Sequence, residues 1–173
     1  YVRVGATNRR VDSDLIGEIR RSVRGDSFDE QPMPDLDSEA IDFRAASESF
    51  EGRRALTRRD LETLRLVTDH QGRKVPTVGG VILFGDERER HFPDAWIQAG
   101  RFAGTDRSRI SDSAEIHVHP VQAIEAVVEF VEKHAFKGVE FGSVYRRERW
   151  NLPRAAVREA IINAVAHADY ALR

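Results

Sequence analysis

Glu159, Asn163 and His167 recur at four-residue intervals in the stretch PRAAVREAIINAVAHADY, Pro153 to Tyr170. At that spacing a carboxylate, an amide and an imidazole project along one side of a helix. These residue types suit a nucleotide site. A carboxylate can take the proton of an attacking water. An amide oxygen is a hard ligand for a magnesium ion held between phosphates. The same column also reads as a solvated helix face, or as a network tying the helix to a neighbouring loop. Spacing alone leaves both readings open.

The helix that would carry these groups is well specified. Pro153 suits a first turn, because the N–H it lacks has no partner there. No glycine or proline interrupts Ala155 to Ala168. Val157, Ala160, Ile161, Ala164, Val165 and Ala168 recur at three- and four-residue intervals as an apolar stripe.

Upstream, Tyr1 to Arg10 alternates briefly and breaks at Gly5, as the end of a strand and a turn do. Asp12 to Arg24 reads as a helix with Leu15, Ile16, Ile19 and Val23 on one face. Gly25 to Leu36 is polar and proline-containing, an extended linker with Phe28 and Met33 as anchors. Ser38 to Phe50 is expected to be a helix burying Ile41, Ala45 and Phe43. Thr57 and Asp60 open another through a capping box, with Leu61, Leu64, Leu66 and Val67 inside. A helix-turn-helix reader is the alternative for this pair, but the arginine-rich connection Glu51 to Leu56 is too long for its tight turn.

Val75 to Gly85, VPTVGGVILFG, is expected to be a central strand buried on both faces. Its glycines lack phosphate-loop spacing and no lysine follows. They suit a bend or a close helix approach instead. Ala95 to Phe102 and Ser111 to His119 read as strands, the second burying Ile116 and Val118 and exposing Glu115, His117 and His119. Two histidines on one strand face could bind zinc, but no third ligand is in view. Pro120 to Phe136 is an amphipathic helix on Val121, Ile124, Val127, Val128 and Val131. Val139 to Arg149 alternates around Gly142-Ser143 as a hairpin, with Arg146, Arg147, Arg149 and Trp150 as an edge row.

The 173 residues are 40% apolar, enough for a core, and 32% charged with a net charge of −2. Overall basicity therefore gives no argument for nucleic acid. Arginine outnumbers lysine 24 to 3, a bias that genome composition explains most simply. Without cysteine, neither a disulfide framework nor a thiolate zinc site is available. No apolar run reaches membrane length, so a cytoplasmic protein without membrane contact is expected. The strand and helix order implies an α+β fold, a small mixed β-sheet with helices packed mainly on one face.

The pattern ExxxNAxxH followed by Asp169-Tyr170 resembles the first ATP-binding motif of GHKL ATPases. More narrowly, REAIINAVAHADY is similar to the start of the divergent GHKL-type domain in bacterial RecG-related proteins, described as helicases or transcriptional regulators. Those proteins carry a Schlafen/AlbA-like domain ahead of it. The resemblance implies Glu159 as the water-activating base and Asn163 as the magnesium ligand. It implies His167 and Asp169 as further nucleotide-site residues in an H-x-D-Y tail, His167 in an orienting role. Ala168 stands where that tail commonly has arginine, so any phosphate contact from that side chain is absent.

The phrase YVRVGATNRR resembles the last strand of the Schlafen/AlbA-like domain, and implies Arg3, Arg9 and Arg10 as nucleic-acid phosphate contacts. SFDEQP, from Ser27, recurs after that strand in the family. PTVGGVILFG with His91-Phe92-Pro93 resembles the signature of its middle domain. On this resemblance residues 1–10 are the last AlbA-like strand, 11–37 a helix and linker, 38–150 a middle α+β domain and 151–173 the first helix of a GHKL-like domain. The chain then reads as a middle segment, unlikely to act alone, of an ATP-binding, DNA-binding regulator. ATP and magnesium would be bound by the longer protein, and nucleic acid by its N-terminal domain. No phosphate loop or Walker-type carboxylate run is present to drive a helicase motor. A reading from another class is a structural or homodimerising module that binds neither nucleotide nor nucleic acid, pairing through an edge strand such as 139–149.

Overall fold

In chain order the elements are β1 (Val2–Val4), β2 (Thr7–Arg9), a 3-10 turn (Ser38–Ala40), α1 (Phe43–Ser49), α2 (Arg58–Thr63), β3 (Val67–His70) and β4 (Arg73–Pro76). Then come α3 (Val78–Phe84), α4 (Arg88–His91), β5 (Ile97–Phe102), β6 (Ile110–Ile116), α5 (Pro120–His134), β7 (Lys137–Phe141), β8 (Arg146–Trp150) and α6 (Arg154–Ala166). The computed structural model describes residues 2–4, 7–9, 16, 27–105, 107–135, 137–141, 146–150 and 152–170, and for 2–9 and 137–150 the backbone alone. The expected helix from Asp12 to Arg24 lies outside the described residues except for Ile16.

The fold is α+β. Among the described residues the strands form four two-stranded antiparallel pairs, β1–β2, β3–β4, β5–β6 and β7–β8, in place of the mixed sheet expected from their order. Each strand pairs with its sequence neighbour, which a short turn permits and a parallel crossover would not. The chain divides into two compact units, residues 1–41 with 57–81, and residues 42–56 with 82–173.

In the first unit, Ile41, Leu61, Leu66, Val67, Val75, Val78 and Val81 are buried. Thr57 N–H donates to Asp60 Oδ2 over 2.7 Å, the expected capping box of α2. That helix ends at Thr63, and Arg65 takes a positive φ of 57° to turn the chain. Leu66 and Val67 are buried as expected, but beyond the helix.

The run Val78–Phe84 is a helix, not the expected central strand. A short buried apolar run has no periodicity to tell the two apart. Its ends decide. Val78 N–H donates to Gln31 O, Gly79 N–H to Asp29 O at 2.7 Å, and Gly80 N–H to Thr77 Oγ1 at 2.9 Å. All three donors that open the helix are thus satisfied by the linker and by Thr77. Gly80 is required, because a Cβ there would stand 2.1 Å from Leu66 O. The expected close approach is real, and it is made by a helix. The linker earns its order here: Met33 N–H donates to Pro76 O, and Phe28 and Met33 are half-buried as expected.

In the second unit, Ala45, Ala46, Ile82, Phe84, Ala95, Ile116, Ala123 and Val128 are buried. Ser38 to Phe50 is not one helix. The 3-10 turn stops at Ile41, and Asp42 starts α1 by accepting from Ala45 N–H at 2.9 Å. β5 and β6 match expectation, although β6 ends at Ile116. Val118 therefore escapes the alternation and is 47% exposed rather than buried. α5 packs Ala123 and Val128 inward, while Val121 is exposed at the first turn. β7 and β8 form a hairpin as expected, but with Phe141 opposite Arg146 and Lys137 opposite Trp150 the strands are separated by four residues rather than by the two-residue Gly142-Ser143 turn.

Candidate functional site

α6 begins after Pro153 (φ −62°, ψ 124°), which stands one position before the helix. Arg154 reaches back to Glu125 and Glu132 on α5, and Arg158 Nε donates to Glu125 Oε1 at 2.8 Å. The Arg158 guanidinium, followed by Arg154, holds the Glu125 carboxylate below its usual range. These contacts fix the helix at its start. No residue of α6 is fully buried.

Two sides of α6 differ. Ala160, Ile161, Ala164, Val165 and Ala168 face an apolar groove of about 470 Å³, walled also by Trp96, Ile97, Ile116 and Val127. Tyr170 also lines it, its hydroxyl donating to Val165 O at 3.0 Å, and burial raises its pKa. At 100° per residue, Glu159 and Asn163 fall on the far side of the helix. Both are exposed, and Asn163 Nδ2 lies 3.4 Å from Glu159 Oε1. With Nδ2 so engaged, Asn163 Oδ1 is left for a metal or a donor. His167 is exposed at the C-cap, its N–H donating to Asn163 O at 3.0 Å, and Asp169 is exposed beyond it.

The predicted column is thus brought together on one outward face, with His167 one step past the last helical residue. Neither described cavity is lined by Glu159, Asn163, His167 or Asp169. The donor set fits magnesium and water chemistry: a hard oxygen beside a carboxylate. A magnesium shared with phosphates needs few protein ligands. It does not require the three-residue acidic or histidine cluster that the described residues lack. Arg10 lies outside the described residues, and Arg3 and Arg9 are described as strand backbone.

A second place was not legible in the sequence. Arg88, in the charged run Asp86 to His91, is buried at 4% exposure. Its Nε donates to Ala95 O and its Nη2 to His117 O, each at 2.9 Å. Its Nη1 meets His119 Nδ1 at 3.4 Å, and His119 Nε2 meets Asp42 Oδ2 at 3.4 Å. Because arginine can only donate, His119 Nδ1 accepts and Nε2 carries the proton toward Asp42. The Ala45 N–H, with the His119 contacts assisting against burial, lowers the Asp42 pKa. His117 instead pairs with Glu89 at 2.9 Å and stacks on Trp96. The two histidines therefore serve different partners. They line a polar cavity of about 660 Å³ with Asp42, Arg44, Glu48 and Gln122. Its central groups are engaged with one another, as in a structural network.

Comparison of the chain with protein-family models, with curated proteins and with solved structures gives no match. Among the described residues no helix is long and apolar enough to cross a membrane.

Proposed function

We propose that this chain is the middle segment of a bacterial, cytoplasmic, RecG-related transcriptional regulator that binds ATP with magnesium and binds DNA. The observation that carries the reading is the outward pairing of Glu159 with Asn163, 3.4 Å apart on the side of α6 away from its apolar groove. A carboxylate and an amide held together in water, on a helix anchored from its other end, suit a site completed by further groups. Asn163 Oδ1 would hold the magnesium, and Glu159 would accept the proton of the attacking water. His167 would orient the site from the C-cap, with Asp169 beside it. Bound ATP would supply the phosphoryl group and its magnesium the charge neutralisation. Arg3, Arg9 and Arg10 would contact nucleic-acid phosphate.

Calorimetric titration of ATP with magnesium into the full-length protein tests this. Binding that disappears in Asn163→Ala is expected. Absence of binding in the wild type overturns it.

A structural or dimerising module is the second reading. It is favoured by the open apolar groove beside α6 and by the exposed Val118 at its edge. A concentration-dependent mass in analytical ultracentrifugation, abolished by Val118→Lys, would support that reading.

A further inference from the structure

The ribbon β5–β6 ends in a feature that neither reading uses. Its pairing runs in register from Ile97↔Ile116 to Arg101↔Asp112, then shifts, so that Phe102 stands opposite Ile110. Ser111 is the extra residue, and its hydroxyl donates to Arg101 O at 3.1 Å. A bulge of this kind re-aims the side chains beyond it. Here it places two apolar residues directly across from each other on one face.

That face is the solvent side. Phe102 is 39% exposed and Ile110 58% exposed. The Phe102 ring lies along the ribbon over Gly100, where an added Cβ would be 3.6 Å from it. Ala103 N–H donates to Arg109 O at 2.7 Å and closes the tip, which presents Arg107 and Arg109 exposed. On the opposite face Arg101 meets His134, and Asp112 is matched by Lys133 at 2.7 Å and by His134 at 2.8 Å. Residues 101–112 carry Arg101, Arg107 and Arg109 against Asp106 and Asp112, so the ribbon end is cationic.

We infer that the β5–β6 ribbon end is a docking surface for duplex DNA, with Arg107 and Arg109 on phosphates and the Phe102–Ile110 pair pressed against the base stack. Two-stranded ribbons enter DNA grooves, and apolar wedges flanked by cations are a recurrent way to grip and unstack a step. Clustered cations match the phosphate lattice. Two apolar side chains are too small a face for stable insertion into a lipid surface. The inference goes beyond the proposed function, which assigns nucleic-acid contact to Arg3, Arg9 and Arg10.

The test is fluorescence anisotropy of the full-length protein with a mixed-sequence duplex carrying a fluorescent base analogue, over a range of salt. Arg107→Ala with Arg109→Ala is expected to weaken binding and flatten the log K against log salt slope by about 2. Phe102→Ala with Ile110→Ala is expected to keep that slope and remove the rise in base-analogue emission. Circular dichroism of each variant confirms the fold is kept. An unchanged slope and emission in both variants overturns the inference. If the slope then flattens only in Arg3→Ala with Arg9→Ala and Arg10→Ala, the proposed function survives while this surface fails. Loss of binding to anionic phosphatidylserine vesicles, with DNA binding intact, would also overturn it in favour of a membrane.

Discussion

The side-chain amide of Asn163 points back one helical turn at the carboxylate of Glu159, with 3.4 Å between Nδ2 and Oε1. The amide thereby steadies the group that would act as base. Glu159→Gln keeps this contact and removes the basicity. In the full-length protein it is expected to retain ATP binding while phosphate release falls by about 10²–10⁴-fold. Equal turnover in Glu159→Gln would show that the carboxylate takes no proton.

Arg88 carries the clearest structural prediction. It serves two backbone carbonyls at 2.9 Å from a nearly closed position. Arg88→Met keeps the volume and leaves both carbonyls without a donor, at about 1–3 kcal/mol each. Arg88→Lys should also fail, since a single ammonium cannot reproduce the planar fork. The measurement is the urea midpoint; a lysine variant as stable as the wild type would refute the fork.

Gly80 sets two effects against each other. Alanine would favour the helix by about 1 kcal/mol through propensity. Its Cβ, however, would fall 2.1 Å from the Leu66 carbonyl oxygen. Overpacking of this order costs about 1–3 kcal/mol or more, so Gly80→Ala should lower the melting temperature. Gly79→Ala, whose nearest neighbour is the Asp29 side chain at 3.0 Å, should be milder. A stabilised Gly80→Ala would contradict the packing.

These contacts also explain what the sequence could convey. The capping box at Thr57, the long helix after Pro120 and the strands before Phe102 and Ile116 follow from local pattern, and all are present. The Val78–Phe84 helix was hidden because its deciding partners, Asp29 and Gln31, are remote in sequence and act through backbone oxygens. Val118 and His119 were misassigned because alternation carries no mark of where a strand stops. Within the candidate sites, the four-residue repeat made Glu159 and Asn163 visible. Arg88 was not, since an arginine among acids and arginines reads as solvated until its carbonyl partners are known.

Asp42 links stability to acidity. Its folded-state pKa lies below the ordinary 3.8, chiefly through the Ala45 N–H. A depressed carboxylate stabilises the fold above its unfolded value, and that contribution is lost as pH falls through the folded one. Asp42→Ala should therefore cost about 1 kcal/mol near neutrality, as a lost helix cap does. It should also flatten the decline in stability below pH 3.8. An acid limb identical to the wild type's, measured by denaturation across pH, would sink this assignment.

Arg154 and Arg158 grip Glu125 and Glu132 from the first turns of α6, while the rest of that helix buries nothing completely. Charge is therefore part of what moors the helix, beside the half-buried Val157, Ile161 and Val165. Near 1 M salt the Debye length contracts to about 3 Å, and such moorings slacken. Ionic strength then becomes a dial on how steadily Glu159 and Asn163 are aimed, turned without altering either residue.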